Sequence, residues 1–470
     1  MKSPACLPLE SLRSEIADRI RSAFDRWENR PEHQQQLGLR IELPIEDTDP
    51  LGWLCAQSAP VQGYWSGRDT PDERAGVGSC HLLTLGSVEE PRAVFDQGRA
   101  VLRTFGPAAD VRYVGGFAFS SSAVDESPWP RFGPARFYIP RFELIRDPAG
   151  TRFAVNLFFQ HHVHTAAGEV LEELSDIDFA GVPLAPLPKI AGRNDYPDQP
   201  GWEANVRAAL DLIRSGILDK VVLARKAVYR FERPVPASHI LRVLREVTAN
   251  CYHFLLQPEP GTAFMGTTPE CLYRRHGKNL FTEALAGTRP RDDDAVRDAA
   301  LAHDLLHNEK ERREQELVRR DILRQLHLLC DAVEADETPV LLPLERKQHL
   351  ISRIHARLRN DTEDADLIQA LHPTPAVGGS PRINALKEIP RLEPFSRGGY
   401  AAPVGWFDLE NAVFAVAIRS GLVRGERVNV YSGAGIVEGS DPSAEWQEIE
   451  NKISDFVRVT QRTRCPTMHP

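Results

Sequence analysis

The chain has 470 residues, 42% of them hydrophobic and 26% charged, with a formal net charge of −9, the make-up of a globular protein with a sizeable core. The acidic balance excludes a general nucleic-acid-binding role, and no apolar run approaches the ~20 residues needed to span a bilayer. Seven cysteines are scattered without a C-x-x-C pair, which fits a reducing compartment rather than a disulfide framework or zinc motif.

The N-terminal "MKSPACLPLESLRSEIADRI" reads as a polar amphipathic helix without the apolar segment of a signal peptide, so a cytoplasmic protein is expected. Residues 1–180 mix helices with apolar strands such as "VGGFAF" and "ARFYIPRFELI". Five prolines in "GVPLAPLPKIAGRNDYPDQPGW" mark 181–202 as a linker. The third segment, 203–465, opens with the amphipathic helix "WEANVRAALDLIRSG" and the strand "KVVLARKAVYRF". Strands follow at "YHFLLQ", "CLYRR" and "NLFTEAL", then a long helix over about 295–330, then strands at "VFAVAIRSGLV" and "RVNVYSGAGIV". Clustered strands with short turns predict an α+β fold: one large domain of stacked, mostly antiparallel sheets with helices outside. No repeat of 20–50 residues is present, which excludes a solenoid or propeller.

Near the C-terminus, "GSDPSAEWQEIENKI" predicts a helix capped by Asp441, with Pro442 at its first position. Trp446, Ile449, Ile453 and Phe456 recur at helical spacing on its buried face. Glu445 and Glu448 lie one turn apart beside that face, and Lys452 follows Glu448 at i+4. Those residues fit either a solvated ion-pair face or part of a metal site. In the long helix, Glu314 extends the apolar stripe of Leu317, Val318, Ile322, Leu326 and Leu329. A carboxylate facing a core needs a compensating cation, either Lys310 one turn back or a bound metal. Two or three carboxylates with open positions suit Mg²⁺, which takes oxygen ligands and keeps several waters. Lys220, ahead of "VVLAR", is either a solvated strand cap or a functional amine. Glu270, in "GTTPECLYRR", is either an exposed turn carboxylate or an acid in a site. Glycines in "ALAGTRPR" and "SGAGIV" let backbone amides approach an anion.

Taken in order, "ILDKVVLARK", "GTTPECL", "TEALAGTRPR", "KERREQELV", "QHLISRI", "LHPTPAVGG", "YAAPVGWFD", "AIRSGLV" and "SGAGIVEGSDPSAEWQEIENK" resemble the chorismate-utilising enzymes. That family includes isochorismate synthases, salicylate synthases, anthranilate synthase large subunits and aminodeoxychorismate synthases. The resemblance covers about 217–453; before 181 only "GGFAF" and "FGPARFYIP" match loosely. It implies a Mg²⁺ ion between Glu314 and Glu448, with Glu445 close by. It further implies that Lys452 and the Gly435 amide hold the ring carboxylate of chorismate. Arg419 and Tyr400 would hold the enolpyruvyl carboxylate, and His349 and Thr288 would line the ring.

Lysine at position 220, where the ammonia-using members usually have glutamine, makes the chain resemble isochorismate and salicylate synthases. Water adding to C2 of chorismate needs a base, whereas ammonia is already a nucleophile. The resemblance therefore implies Lys220 as base and Glu270 as the acid that protonates the departing C4 hydroxyl. The expected reaction is chorismate to isochorismate, feeding menaquinone or siderophore synthesis; elimination of pyruvate to give salicylate is the nearest alternative, followed by an anthranilate- or aminodeoxychorismate-type synthase subunit and a non-catalytic chorismate-binding protein. A lysine acts as a base near neutral pH only if its pKa falls from about 10.4 toward 7 or 8. Arg225 and the metal are the cations expected to assist. Gln315, where histidine is common, and Ala402, where glycine is frequent, depart from the family pattern. Chorismate is the expected partner, with no nucleic acid or membrane, in a monomer or homodimer.

Overall fold

The computed structural model describes residues 9–29, 36–86, 90–120, 129, 131–160, 167–180, 186–344 and 347–461. Two large sheets, both antiparallel throughout, share one continuous hydrophobic core. The larger has twelve strands. Five come from the first 160 residues, and they continue without a break into strands from the C-terminal half through the pairing of Gln62–Ser66 with Tyr252–Glu259. The second has ten strands, again combining both halves: Tyr113–Phe117 pairs with Pro403–Phe407. Neither half forms a sheet of its own.

The stretch 181–202 carries ordered elements. Ile190–Tyr196 is a strand paired with Lys220–Phe231, and a helix begins at Gln199, capped by Asp198; positions 181–185 of the expected linker lie outside the described residues. The expected long helix is two helices, Ala295–His307 and Glu309–Leu329. Asn308 separates them because its backbone is extended (φ −69°, ψ 118°), and its side chain caps the second helix through the amide of Glu311 at 3.2 Å.

Three stretches of chain pass from one sheet to the other. Ala135–Ile139 lies in the second sheet and Phe142–Asp147 in the first. Thr262–Thr268 lies in the first sheet and Cys271–His276 in the second, with Pro269 and Glu270 at the crossing. Asn411–Val416 lies in the second and Ser420–Arg424 in the first, with Arg419 at the crossing in a left-handed conformation, φ +48°. Such a conformation is strained for a non-glycine residue. The last two crossings lie side by side. Val416 N–H donates to the Glu270 carbonyl at 3.0 Å, and Thr267 N–H donates to the Arg419 carbonyl at 3.1 Å. Two candidate residues from distant segments are thereby set on one floor between the sheets.

Candidate active site

A cavity of about 920 Å³ opens over that floor. Glu270, Thr288, Glu314, His349, Tyr400, Arg419, Gly435, Glu445, Glu448 and Lys452 all line it. Lys220 is not one of the lining side chains and joins the site through the lining residue Glu314. It is fully buried, and its Nζ donates to Glu314 Oε1 at 2.8 Å. This lysine is therefore no solvated strand cap. Gly435 leaves the space for the pair: a Cβ there would lie 2.9 Å from Lys220 Cε and 3.1 Å from Glu314 Oε1. The cation answering Glu314 is thus Lys220, 94 residues away in sequence, and not Lys310, which instead lies 3.8 Å from Glu445.

Arg225 does not assist Lys220. Five positions along one strand put the two on opposite faces, and Arg225 stacks on Trp446, 3.6 Å from the ring centroid, while pairing with Glu450. That contact fixes the Pro442–Gln461 helix from below. The predicted cap is present, with Asp441 accepting from the amide of Ala444 at 2.8 Å, and Ile449 and Ile453 are buried. The opposite side of the helix then presents Glu445, Glu448 and Lys452 to the cavity.

Glu270 is buried, and its pKa rises to about 8. Loss of solvation is the main cause and the charge of Glu283 adds to it, while Lys220 and Arg419 pull the other way. At neutral pH this carboxyl holds its proton. His349 is driven the other way, well below its ordinary value, by burial and then by Arg419 and Lys452. Its ring is therefore neutral. Arg419 Nη2 donates to His349 Nε2 at 2.9 Å. A guanidinium can only donate, so Nε2 accepts and Nδ1 carries the hydrogen, toward Thr288 Oγ1 at 2.9 Å and the Gly287 carbonyl at 3.3 Å.

Sequence reasoning missed the continuation of this chain of contacts. Glu311 accepts the Thr288 amide at 3.3 Å and Arg289 Nη1 at 2.7 Å, so it anchors the strand end that carries Thr288. Its signal was available: Glu311 lies three residues before Glu314, on the same helical face. Gln315 is buried and donates to Ser352 Oγ at 2.8 Å, tying the helix to the strand that bears His349. Ala402 is also buried.

The carboxylates on the cavity's far wall are unequal. Burial, then the neighbouring Glu448 charge, raises the Glu445 pKa, while Ser440, donating to it at 2.8 Å, acts against this. Burial also pushes Glu448 up, but Lys452, at 2.7 Å, together with Lys310 and Lys347, outweighs it and holds the carboxyl below its usual range. Lys452 Nζ further donates to the Gly433 carbonyl at 2.9 Å. Among the described residues no three His, Cys, Asp or Glu side chains close on one point as a metal cage does. The donor chemistry is nevertheless that of a hard cation: Glu314 and Glu448 are carboxylates facing one cavity, each satisfied by a single lysine that an ion could replace. The opposing cations, Arg419 and Lys452, suit a small molecule with more than one carboxylate.

Known proteins share this architecture. The isochorismate synthase MenF of Escherichia coli (strain K12) is 34% identical over 426 residues, covering 90% of this chain and 93% of its own. The salicylate biosynthesis isochorismate synthase of Pseudomonas aeruginosa is 35% identical, covering 87% of each chain. The solved structure of the menaquinone-specific isochorismate synthase MenF from E. coli superposes with a TM-score of 0.82 at 32% identity, covering 95% of this chain and all of that one. Residues 22–461 match the family described as chorismate binding enzyme, and the chain belongs to that family.

Proposed function

We propose that the protein converts chorismate to isochorismate. The observation that carries this reading is a buried carboxyl that stays protonated at neutrality, Glu270, facing a cavity that also holds cations for two carboxylates, with the buried amine of Lys220 behind the wall, bonded to the cavity residue Glu314 and close enough to Glu270 to act on its charge. The relatives named as isochorismate synthases support it. In the reaction, a water oxygen bonds to C2 and gives its proton to Lys220, which acts in its neutral amine form and not as the cation paired with Glu314 in the free enzyme. The ring double bonds shift, the C4–O bond breaks, and Glu270 protonates the leaving hydroxide. One water enters and one leaves. Lys452 and the Gly435 amide hold the ring carboxylate, Arg419 and Tyr400 hold the enolpyruvyl carboxylate, and neutral His349 with Thr288 borders the ring. Arg419 is braced for this by the hydrogen-bonded line through His349 and Thr288 to Glu311.

Glu314 and Glu448, with Glu445 beside them, would hold Mg²⁺, which when bound anchors the C1 carboxylate and stabilises charge developing there. Extraction with EDTA should abolish turnover and added Mg²⁺ should restore it, while Glu448→Gln stays folded and loses the metal response. Full-rate turnover after extraction would remove the metal from the account. A product used in menaquinone or siderophore synthesis is consistent with the relatives' names. Among the described residues no helix is long and apolar enough to cross a membrane.

Gly435→Ala presses on the Lys220–Glu314 pair. Its methyl group would intrude on both partners at separations that real Cβ atoms seldom adopt, so kcat should fall on the order of tenfold or more. Steady-state kinetics beside a thermal melt separate this from unfolding. The reading as a whole is tested by incubating the purified protein with chorismate and Mg²⁺ and separating the products. Isochorismate supports it; salicylate with pyruvate, or no reaction, contradicts it.

A further inference from the structure

The peptide bearing Glu270 is gripped on both flanks by a buried ion pair, one member of which, Arg68, lies outside the segments that carry the family motifs. Arg68 lies in the turn between strands Gln62–Ser66 and Glu73–Val77, and Glu283 lies in strand Asn279–Pro290. Arg68 Nη1 and Nη2 donate to Glu283 Oε1 and Oε2 at 2.5 and 2.8 Å, with side-chain exposures of 5% and 0%. The same Nη1 donates to the carbonyl of Pro269, the residue before Glu270. Glu283 Oε1 accepts the amide of Cys271, the residue after it, at 3.1 Å. The Glu270 amide itself donates to Thr268 Oγ1 at 3.2 Å.

We infer that Arg68 and Glu283 are positioning residues for Glu270: a forked ion pair that clamps the peptides on either side of it and holds its carboxyl in the cavity. This rests on the reading of Glu270 as the proton donor. The pair is costly to bury and is not needed to close either sheet, since both of its ends are spent on the crossing peptide rather than on strand ladders. Asp69 completes the Arg68 guanidinium with two further contacts at 3.0 Å, so the fork cannot rotate freely. The groups facing Glu270 from the elements around it are Lys220, Arg419, Tyr400 and Glu283. Burial is the larger cause of the raised Glu270 pKa, and among these groups Glu283 adds its negative charge to it. Geometry and charge are thus separable by mutation.

Arg68→Lys keeps the positive charge but loses the fork. It should lower kcat about tenfold, with KM little changed and the high-pH limb of kcat/KM where it is in the wild type. Glu283→Gln keeps an oxygen for the Cys271 amide but removes the charge, so the high-pH limb should move toward acid by about one pH unit. Arg68→Met/Glu283→Gln buries no unpaired charge and so guards against misfolding. In it the limb should stay where Glu283→Gln puts it, since the Glu283 charge is gone in both, while kcat stays low. Wild-type limbs and kcat in all three, with only thermal stability lost, would make the pair a structural brace and overturn the inference. A wild-type enzyme with no high-pH limb, or an undiminished Glu270→Gln enzyme, would instead overturn the assignment of Glu270 on which it rests.

Discussion

Lys220→Gln lowers kcat by about 10²–10⁴-fold, the usual consequence of removing a general base, and leaves KM nearly unchanged. The side chain is fully buried, and its only described hydrogen bond is to Glu314. A glutamine amide can still donate to that carboxylate, so the local packing survives without the basic amine. Arg419 and Lys452, which would hold the substrate carboxylates, are untouched. The loss therefore falls on the transition state rather than on binding. Steady-state kinetics with chorismate measure it directly. A wild-type kcat would reduce Lys220 to an electrostatic partner of Glu314.

Glu270→Gln should cost a similar factor, because an amide of the same shape cannot deliver a proton to the departing hydroxide. The wild type adds a second observable. In the proposed reaction Glu270 acts in its protonated form, and burial with the nearby Glu283 charge raises its pKa to about 8. The active form is thus present through neutrality and is lost as pH rises through about 8. A pH–rate profile of the wild type should show this fall, and the residual activity of Glu270→Gln should lack it. A residual profile that still falls near pH 8 would assign the limb to another group.

The strands that carry the site were legible because β-branched and aromatic runs bounded by glycine and proline leave a local record. "KVVLARKAVYRF" is a strand over Lys220–Phe231, and the helix capped at Asp441 begins as its cap implies. What stayed hidden is non-local. Nothing near Lys220 reveals whether the first residue of a strand is solvated, since its burial depends on Glu314 and Gly435. "VFAVAIRSGLV" reads as one strand, and only the two sheets show that the chain breaks at Arg419 to pass between them. The Asn308 interruption was written locally, as a capping residue before "EKERREQE", but the helical pattern on both sides masked it. The grip of Arg68 on the peptide of Glu270 joins positions 201 residues apart and leaves no periodic signal at all.

In the proposed reaction water attacks C2 while the C4 hydroxyl leaves, with Lys220 and Glu270 handling the two protons. Running the reaction in ¹⁸O-labelled water to an early time point, and analysing the product by mass spectrometry, tests this most directly. The account predicts isochorismate carrying one heavy oxygen, located at C2. Isochorismate with no label, or with label retained only at another carbon, would contradict it.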